Sequence, residues 1–130
     1  VIRKNNKPLS SAPVINVYTD GACSNNGKTD ARAGFGIWFG EGDERNTSES
    51  FTGTQTNNRA ELLAIIKALT ILRDEIEQGQ SVMIYSDSSY SIRCCTTYGE
   101  KLEKRCWIKK KPIPNVQLVK KAFYLFKNNY

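Results

Sequence analysis

Residues 60–71 read Ala60-Glu61-Leu62-Leu63-Ala64-Ile65-Ile66-Lys67-Ala68-Leu69-Thr70-Ile71, and the period of this run decides the fold. Apolar side chains return at Ala60, Leu63, Ala64, Ile66 and Ile71 with leucines between them, the spacing of a helix that packs on a core. No breaker occurs before Gly79, so a long helix is expected to about Gln78. Upstream the period differs. Residues 14–20 alternate and are rich in β-formers, residues 34–39 continue in that style, and residues 47–52 read as a third strand, with glycine-bearing turns between them. Three strands on short turns predict an antiparallel meander. Downstream, residues 82–86 form a short apolar strand. A meander followed by helix and strand predicts an α/β fold: a mixed sheet with helices packed across it.

Farther outward, a second helix is expected from Ser88, then a charged stretch through Lys111. Pro112 and Pro114 break it, and Asn115 suits the cap of a last helix with Val116, Val119, Phe123 and Phe126 on one face. Residues 1–13 contain Pro8, Ser10, Ser11 and Pro13 and read as a linker or N-terminal extension, which leaves residues 14–130 as one domain. A chain of 130 residues with 39% hydrophobic content can bury one core.

The net charge of +6 is unevenly placed: residues 91–130 carry +8 and residues 1–90 carry −2. The basic half suits a polyanion and the acidic half suits cations, although lysine-rich faces are commonly just solvated. Cys23, Cys94, Cys95 and Cys106 contain no CxxC pair, and the sequence has no histidine, which disfavours structural zinc. The N-terminal stretch carries Arg3, Lys4 and Lys7 with no long apolar run after it, so an intracellular protein of the cytoplasm or nucleus, with no membrane partner, is expected.

Two acids stand at expected strand ends. Asp20 precedes Gly21, and Asp87 precedes Ser88 and Ser89; carboxylates at the ends of neighbouring strands converge at one edge of a sheet, where open sheets bind ligands. Each has an ordinary reading alone, a turn for Asp-Gly and a helix start for Asp-Ser-Ser. Glu61, three residues after Asn58, reads as half of a capping box. The set of three favours chemistry over those separate readings.

Asp20-Gly21-Ala22-Cys23-Ser24-Asn25-Asn26-Gly27, Thr56-Asn57-Asn58-Arg59-Ala60-Glu61 and Tyr85-Ser86-Asp87-Ser88, in this order and on these elements, resemble the type 1 ribonucleases H. The resemblance covers residues 14–130. It implies the ribonuclease H-like fold and an endonuclease that hydrolyses the RNA strand of RNA/DNA hybrids with two Mg²⁺ ions, Mn²⁺ being an alternative, and no small-molecule cofactor. Asp20, Glu61 and Asp87 would be the catalytic carboxylates, and with Gly21 the metal-binding positions, Asp20 bridging the ions. The residue types fit, because hard divalent cations prefer oxygen ligands and phosphodiester hydrolysis needs both an activated water and a stabilised leaving oxygen.

The same resemblance implies substrate contacts. Asn25, Asn26, Asn57 and Asn58 match positions that touch the minor groove of the hybrid, where 2′-hydroxyls mark the RNA; Cys23 and Ser24 join that set. Asparagine both donates and accepts, although Asn-Asn-Gly is also an ordinary turn. Thr56 and Asn115 match a phosphate pocket for the DNA strand, in which an arginine common in the family is Thr54 here. Tyr98 and Trp107 lie in the basic segment with Lys109, Lys110 and Lys111, as candidates for sugar, base and phosphate contacts. Trp107 as a core anchor beside solvated lysines is the alternative.

In the family the last helix is followed by a fifth strand, a loop bearing a histidine and a helix bearing the fourth carboxylate. This sequence has no histidine and no Asp or Glu after Glu103, so those parts are expected outside it, and these residues alone are expected to be weak or inactive. Without a fifth strand, residues 82–86 are expected to form a hydrophobic edge. A monomer is expected when the domain is complete. Two other functions remain open: a non-catalytic hybrid-binding module, and the ribonuclease H part of a larger polymerase.

Overall fold

The computed structural model describes residues 2–4 and 13–128. The strands are β1 (Ile2–Lys4), β2 (Ile15–Ser24), β3 (Arg32–Trp38), β4 (Thr47–Ser50) and β5 (Val82–Tyr85). The helices are α1 (Asn57–Ile71), α2 (Arg73–Glu77), α3 (Ser89–Cys95), α4 (Thr97–Lys104) and α5 (Val116–Asn128). One mixed sheet has the order β1-β5-β2-β3-β4. β2, β3 and β4 form the expected antiparallel meander, and β5 returns parallel to β2 after the helices.

Alternation fixes which face of the sheet carries helices. Val17 and Thr19 on β2 and Ala33, Phe35 and Ile37 on β3 are buried, whereas Tyr18, Asp20, Arg32 and Trp38 are exposed. Burying the first set against Leu62, Ile65 and Leu69 of α1 makes the core. α1 is apolar around most of its girth because it lies between the sheet and α5, whose Val119 and Phe123 are fully buried or nearly so. Gly99 lets α4 close on this layer: a Cβ there would collide with the Cys94 carbonyl oxygen and the Phe123 ring.

Several boundaries depart from the sequence expectations. Ile2–Lys4, read as part of a linker, is a strand that pairs antiparallel with β5, from Ile2↔Ile84 to Lys4↔Val82. The expected hydrophobic edge at residues 82–86 is therefore paired on both sides of β5; its unpaired amides and carbonyls, and burial of Ile2, account for the capture. Residues 5–12 of the linker reading lie outside the described residues. The long helix is broken at Leu72 into α1 and α2, and Gly79 then ends the segment at φ 87°. The second helix is likewise two, α3 and α4, interrupted at Thr96. β2 runs past Asp20 to Ser24, so Asp20 is not a strand end; the pairing Ser24↔Arg32 carries the hairpin that far.

Candidate active site

Strand register brings the first two acids together. In the parallel pair β2 and β5, Tyr18 is the partner of Tyr85, and two residues further along each chain stand Asp20 and Asp87. Both are exposed. Glu61 comes from the first turns of α1, and Gly21 sets how closely that helix lies on β2: a Cβ at Gly21 would stand 2.5 Å from the Glu61 nitrogen and 2.6 Å from the Ala60 carbonyl carbon. The bare glycine also lets its N–H donate to Glu61 Oε1, while the Ser86 hydroxyl donates to Glu61 Oε2 at 3.4 Å. Both carboxylate oxygens of Glu61 are thus held.

This binding corrects the capping-box reading of Glu61. The N-cap of α1 is Thr56, whose side chain accepts from Arg59 N, and Glu61 turns to β2 instead. Its burial, at 7% exposure, has a cost that the other two acids do not bear. Burial pushes the Glu61 carboxyl up to about 7, with smaller pushes from Asp87 and Asp20, against the opposing pull of the Gly21 N–H.

Asp20, Glu61 and Asp87 each offer an oxygen within 4.8 Å of the others. Among the described residues the ion pairs are Arg45–Asp43, Lys67–Glu49, Arg73–Glu77 and Lys127–Glu103, and none reaches this cluster. Three oxygen donors, mutually repelling and without a side-chain cation, fit a hard divalent ion. Asp20 and Gly21 also line an open groove of about 440 Å³ over the glycine-bearing surface of β3, at Gly34 and Gly36.

The residues expected at the minor groove share one surface. Asn26 Oδ1 accepts from Asn57 N at 3.3 Å, which ties the turn after β2 to the start of α1; Asn25, Asn26, Asn57 and Asn58 are all exposed. Asn25 has φ 54° and donates to Asp30, so it also serves its turn. Cys23 and Ser24 use their side chains on nearby carbonyls, of Gln55 and Arg32. Gln55 pins the segment before Thr56, accepting from Ala33 N at 2.8 Å and donating to Phe51 and Gly53.

The basic segment divides. Trp107 donates from Nε1 to the Tyr124 hydroxyl at 3.1 Å and packs edge-on to Phe123, the placement of an anchor on α5. Tyr98 lines a separate cleft with Tyr90, Arg93, Thr97 and Lys101, and Lys109 Nζ lies 5.5 Å from its ring centre. Lys110 and Lys111 are exposed beside Pro112 and Pro114. Asn115, at φ 56° before α5, reaches Arg59 of α1, a contact that spans 56 residues of sequence.

Residues 12–130 match the family model described as RNase H. The chain belongs to the RNase H family. The type 1 resemblance carried by the three motifs agrees with this membership, in a family that is metal-dependent. Ribonuclease H of Schizosaccharomyces pombe is 42% identical over 109 residues, covering 82% of this chain and 39% of that protein. Ribonuclease H1 of Rattus norvegicus is 38% identical over 91 residues, covering 70% of this chain and 31% of that protein. The chain thus spans 39% of the first of these relatives and 31% of the second. Among solved structures, the PFV RNase H domain in solution aligns with TM-score 0.63 and 20% identity, over 86% of this chain and 71% of that one, and shows the fold. Among the described residues no helix is long and apolar enough to cross a membrane.

Proposed function

We propose that this RNase H chain is the hybrid-cleaving part of an intracellular endonuclease, which hydrolyses the RNA strand of RNA/DNA hybrids with two Mg²⁺ or Mn²⁺ ions. The observation that carries the proposal is the convergence of Asp20, Glu61 and Asp87, with their oxygens within 4.8 Å of one another. Asp20, Glu61 and Asp87 would hold the ions, together with a fourth carboxylate from outside these residues. Bound there, the divalent pair supplies the charge that makes a water nucleophilic and stabilises the departing 3′-oxygen.

The chain's own groups prepare that site. The Gly21 N–H and the Ser86 hydroxyl hold Glu61 by both oxygens, so its carboxylate needs little reorganisation to act as a ligand. At neutral pH the empty site keeps a share of Glu61 protonated, and a nearby cation favours the ionised form. Asn25, Asn26, Asn57 and Asn58 offer paired donors and acceptors to 2′-hydroxyls, the groups that distinguish RNA from DNA. Thr56 and Asn115 would receive a DNA-strand phosphate, and Lys109, Lys110 and Lys111 with Tyr98 would meet the backbone farther along.

Three converging acids beside a phosphate backbone weaken binding unless cations join them, which favours catalysis over a purely binding module. The test is cleavage of a strand-labelled RNA/DNA hybrid by the full-length protein. RNA-strand cutting that needs divalent metal and is abolished in Asp20→Asn is expected; activity unchanged by that substitution sinks the proposal.

A further inference from the structure

Arg59 takes no part in the carboxylate cluster, although it lies two residues before Glu61. Its Nε is shielded from solvent without a hydrogen-bond partner, and among the described residues no carboxylate pairs with it. Two of its hydrogen bonds go to residues of the proposed phosphate pocket. The backbone N–H donates to Thr56 Oγ1 at 3.2 Å, and Nη1 donates to Asn115 Oδ1 at 3.4 Å.

A guanidinium has donors only, so the atom of Asn115 that faces it must be the carboxamide oxygen. This fixes the amide: its oxygen is occupied by Arg59 and its NH₂ is directed away from the guanidinium. Thr56 is constrained in the same sense. Its oxygen already accepts from Arg59 N, which leaves the hydroxyl proton free to donate. Both pocket residues therefore present donors, with an unpaired positive charge behind them, and Thr54 adds no charge. The complement is an acceptor-only anion. A phosphodiester has that character, whereas a hydroxyl or a base edge is served better by groups that also accept.

We infer that Arg59 is the positioning residue of this pocket: its guanidinium turns Asn115 into a donor beside the Thr56 hydroxyl and supplies the charge for one phosphate of the DNA strand. The inference rests on the proposed assignment of Thr56 and Asn115 to that strand.

Hybrid binding by the full chain in an Asp20→Asn background keeps the duplex intact while the DNA phosphates are neutralised one at a time as methylphosphonates. With Arg59 present, one phosphate is expected to matter, its neutralisation weakening binding about tenfold, the size of one charge-assisted hydrogen bond. With Arg59→Ala the intact duplex binds about tenfold more weakly, and the same neutralisation costs less than about twofold, since the partner is already lost. Arg59→Lys keeps the charge but not the planar guanidinium, and serves where the alanine variant does not fold; at that phosphate it should lose about half of the effect on a logarithmic scale. Equal losses in parent and variants at every phosphate would overturn the inference, as would a lowered melting temperature with unchanged hybrid affinity. Failure of the parent chain to bind the hybrid would instead bring down the functional reading on which Arg59 depends.

Discussion

Replacing Gly21 with alanine places a methyl carbon 2.5 Å from the Glu61 nitrogen, 2.6 Å from the Ala60 carbonyl carbon and 2.8 Å from the Ala60 Cβ. These atoms belong to the backbone and first side-chain carbon of α1, so no side-chain rotation relieves the overlap. Ordinary contact begins near 3.4 Å, and α1 must retreat from β2 by close to an ångström. Overpacking of this kind costs about 1–3 kcal/mol, and a rigid helix buried on both sides belongs at the upper end. The same retreat pulls Glu61 from the Gly21 N–H and opens the distance to Asp20. A misplacement of about 1 Å at a reacting centre costs on the order of a hundredfold in rate. Urea denaturation of Gly21→Ala should therefore show a loss of about 2–3 kcal/mol. Cleavage by the full-length variant should fall about a hundredfold, a greater loss than the residual unfolded fraction explains. Stability within about 0.5 kcal/mol of the parent, with unchanged metal dependence, would refute the claim that Gly21 sets the spacing of the site.

Glu61 has a folded pKa of about 7 against an ordinary 4.5, so without metal its stabilising effect is fully present below pH 4.5 and lost as pH rises through 7. In EDTA, Glu61→Gln should melt higher than the parent at pH 8, by up to about 3 kcal/mol, and match it near pH 4; equal differences at both values would contradict the assignment. Trp107→Ala should destabilise the chain by about 3 kcal/mol in denaturation, and one released Lys-rich loop should remain able to bind hybrid; unchanged stability with lost affinity would return Trp107 to the substrate surface. Lys109→Ala should weaken hybrid binding at all sequences and lower the slope of log affinity against log salt by about 1, a change that binding titrations at several salt concentrations would detect or exclude.

Much of the layer architecture was legible because local period carries it. The helical spacing in residues 60–71 and the alternation around Val17 depend on neighbours along the chain, and both elements form. What escaped depends on distant partners. Three residues, Ile2–Lys4, carry too little pattern to mark a strand, and their partner β5 lies some eighty residues away. β2 extends beyond Asp20 because Arg32–Trp38 pairs along its whole length. The break at Leu72 has neither glycine nor proline to announce it.

The site was legible in the same uneven way. Asp20 and Asp87 could be placed side by side from strand order alone. Asn58 and Glu61 satisfied the capping-box spacing, but Thr56 made the cap and Glu61 was drawn across to the Gly21 amide. Asp-Gly looks like a turn in sequence, whereas here Gly21 sits within a strand that must accept a helix against it. Trp107 stands among lysines in sequence and beside Phe123 and Tyr124 in space, and Arg59 meets Asn115 only where the chain comes back to α1 just ahead of α5.

The carboxylate cluster is tested most directly by calorimetric titration of Mg²⁺ and Mn²⁺ into the full chain and into Asp20→Asn, without nucleic acid. Saturable binding by the parent is expected, with stabilisation of about 2.7 kcal/mol at a free metal concentration a hundred times the Kd, and neither heat nor stabilisation in the variant. Indistinguishable titrations of the two chains would contradict the assignment of Asp20, Glu61 and Asp87 as a divalent-cation site.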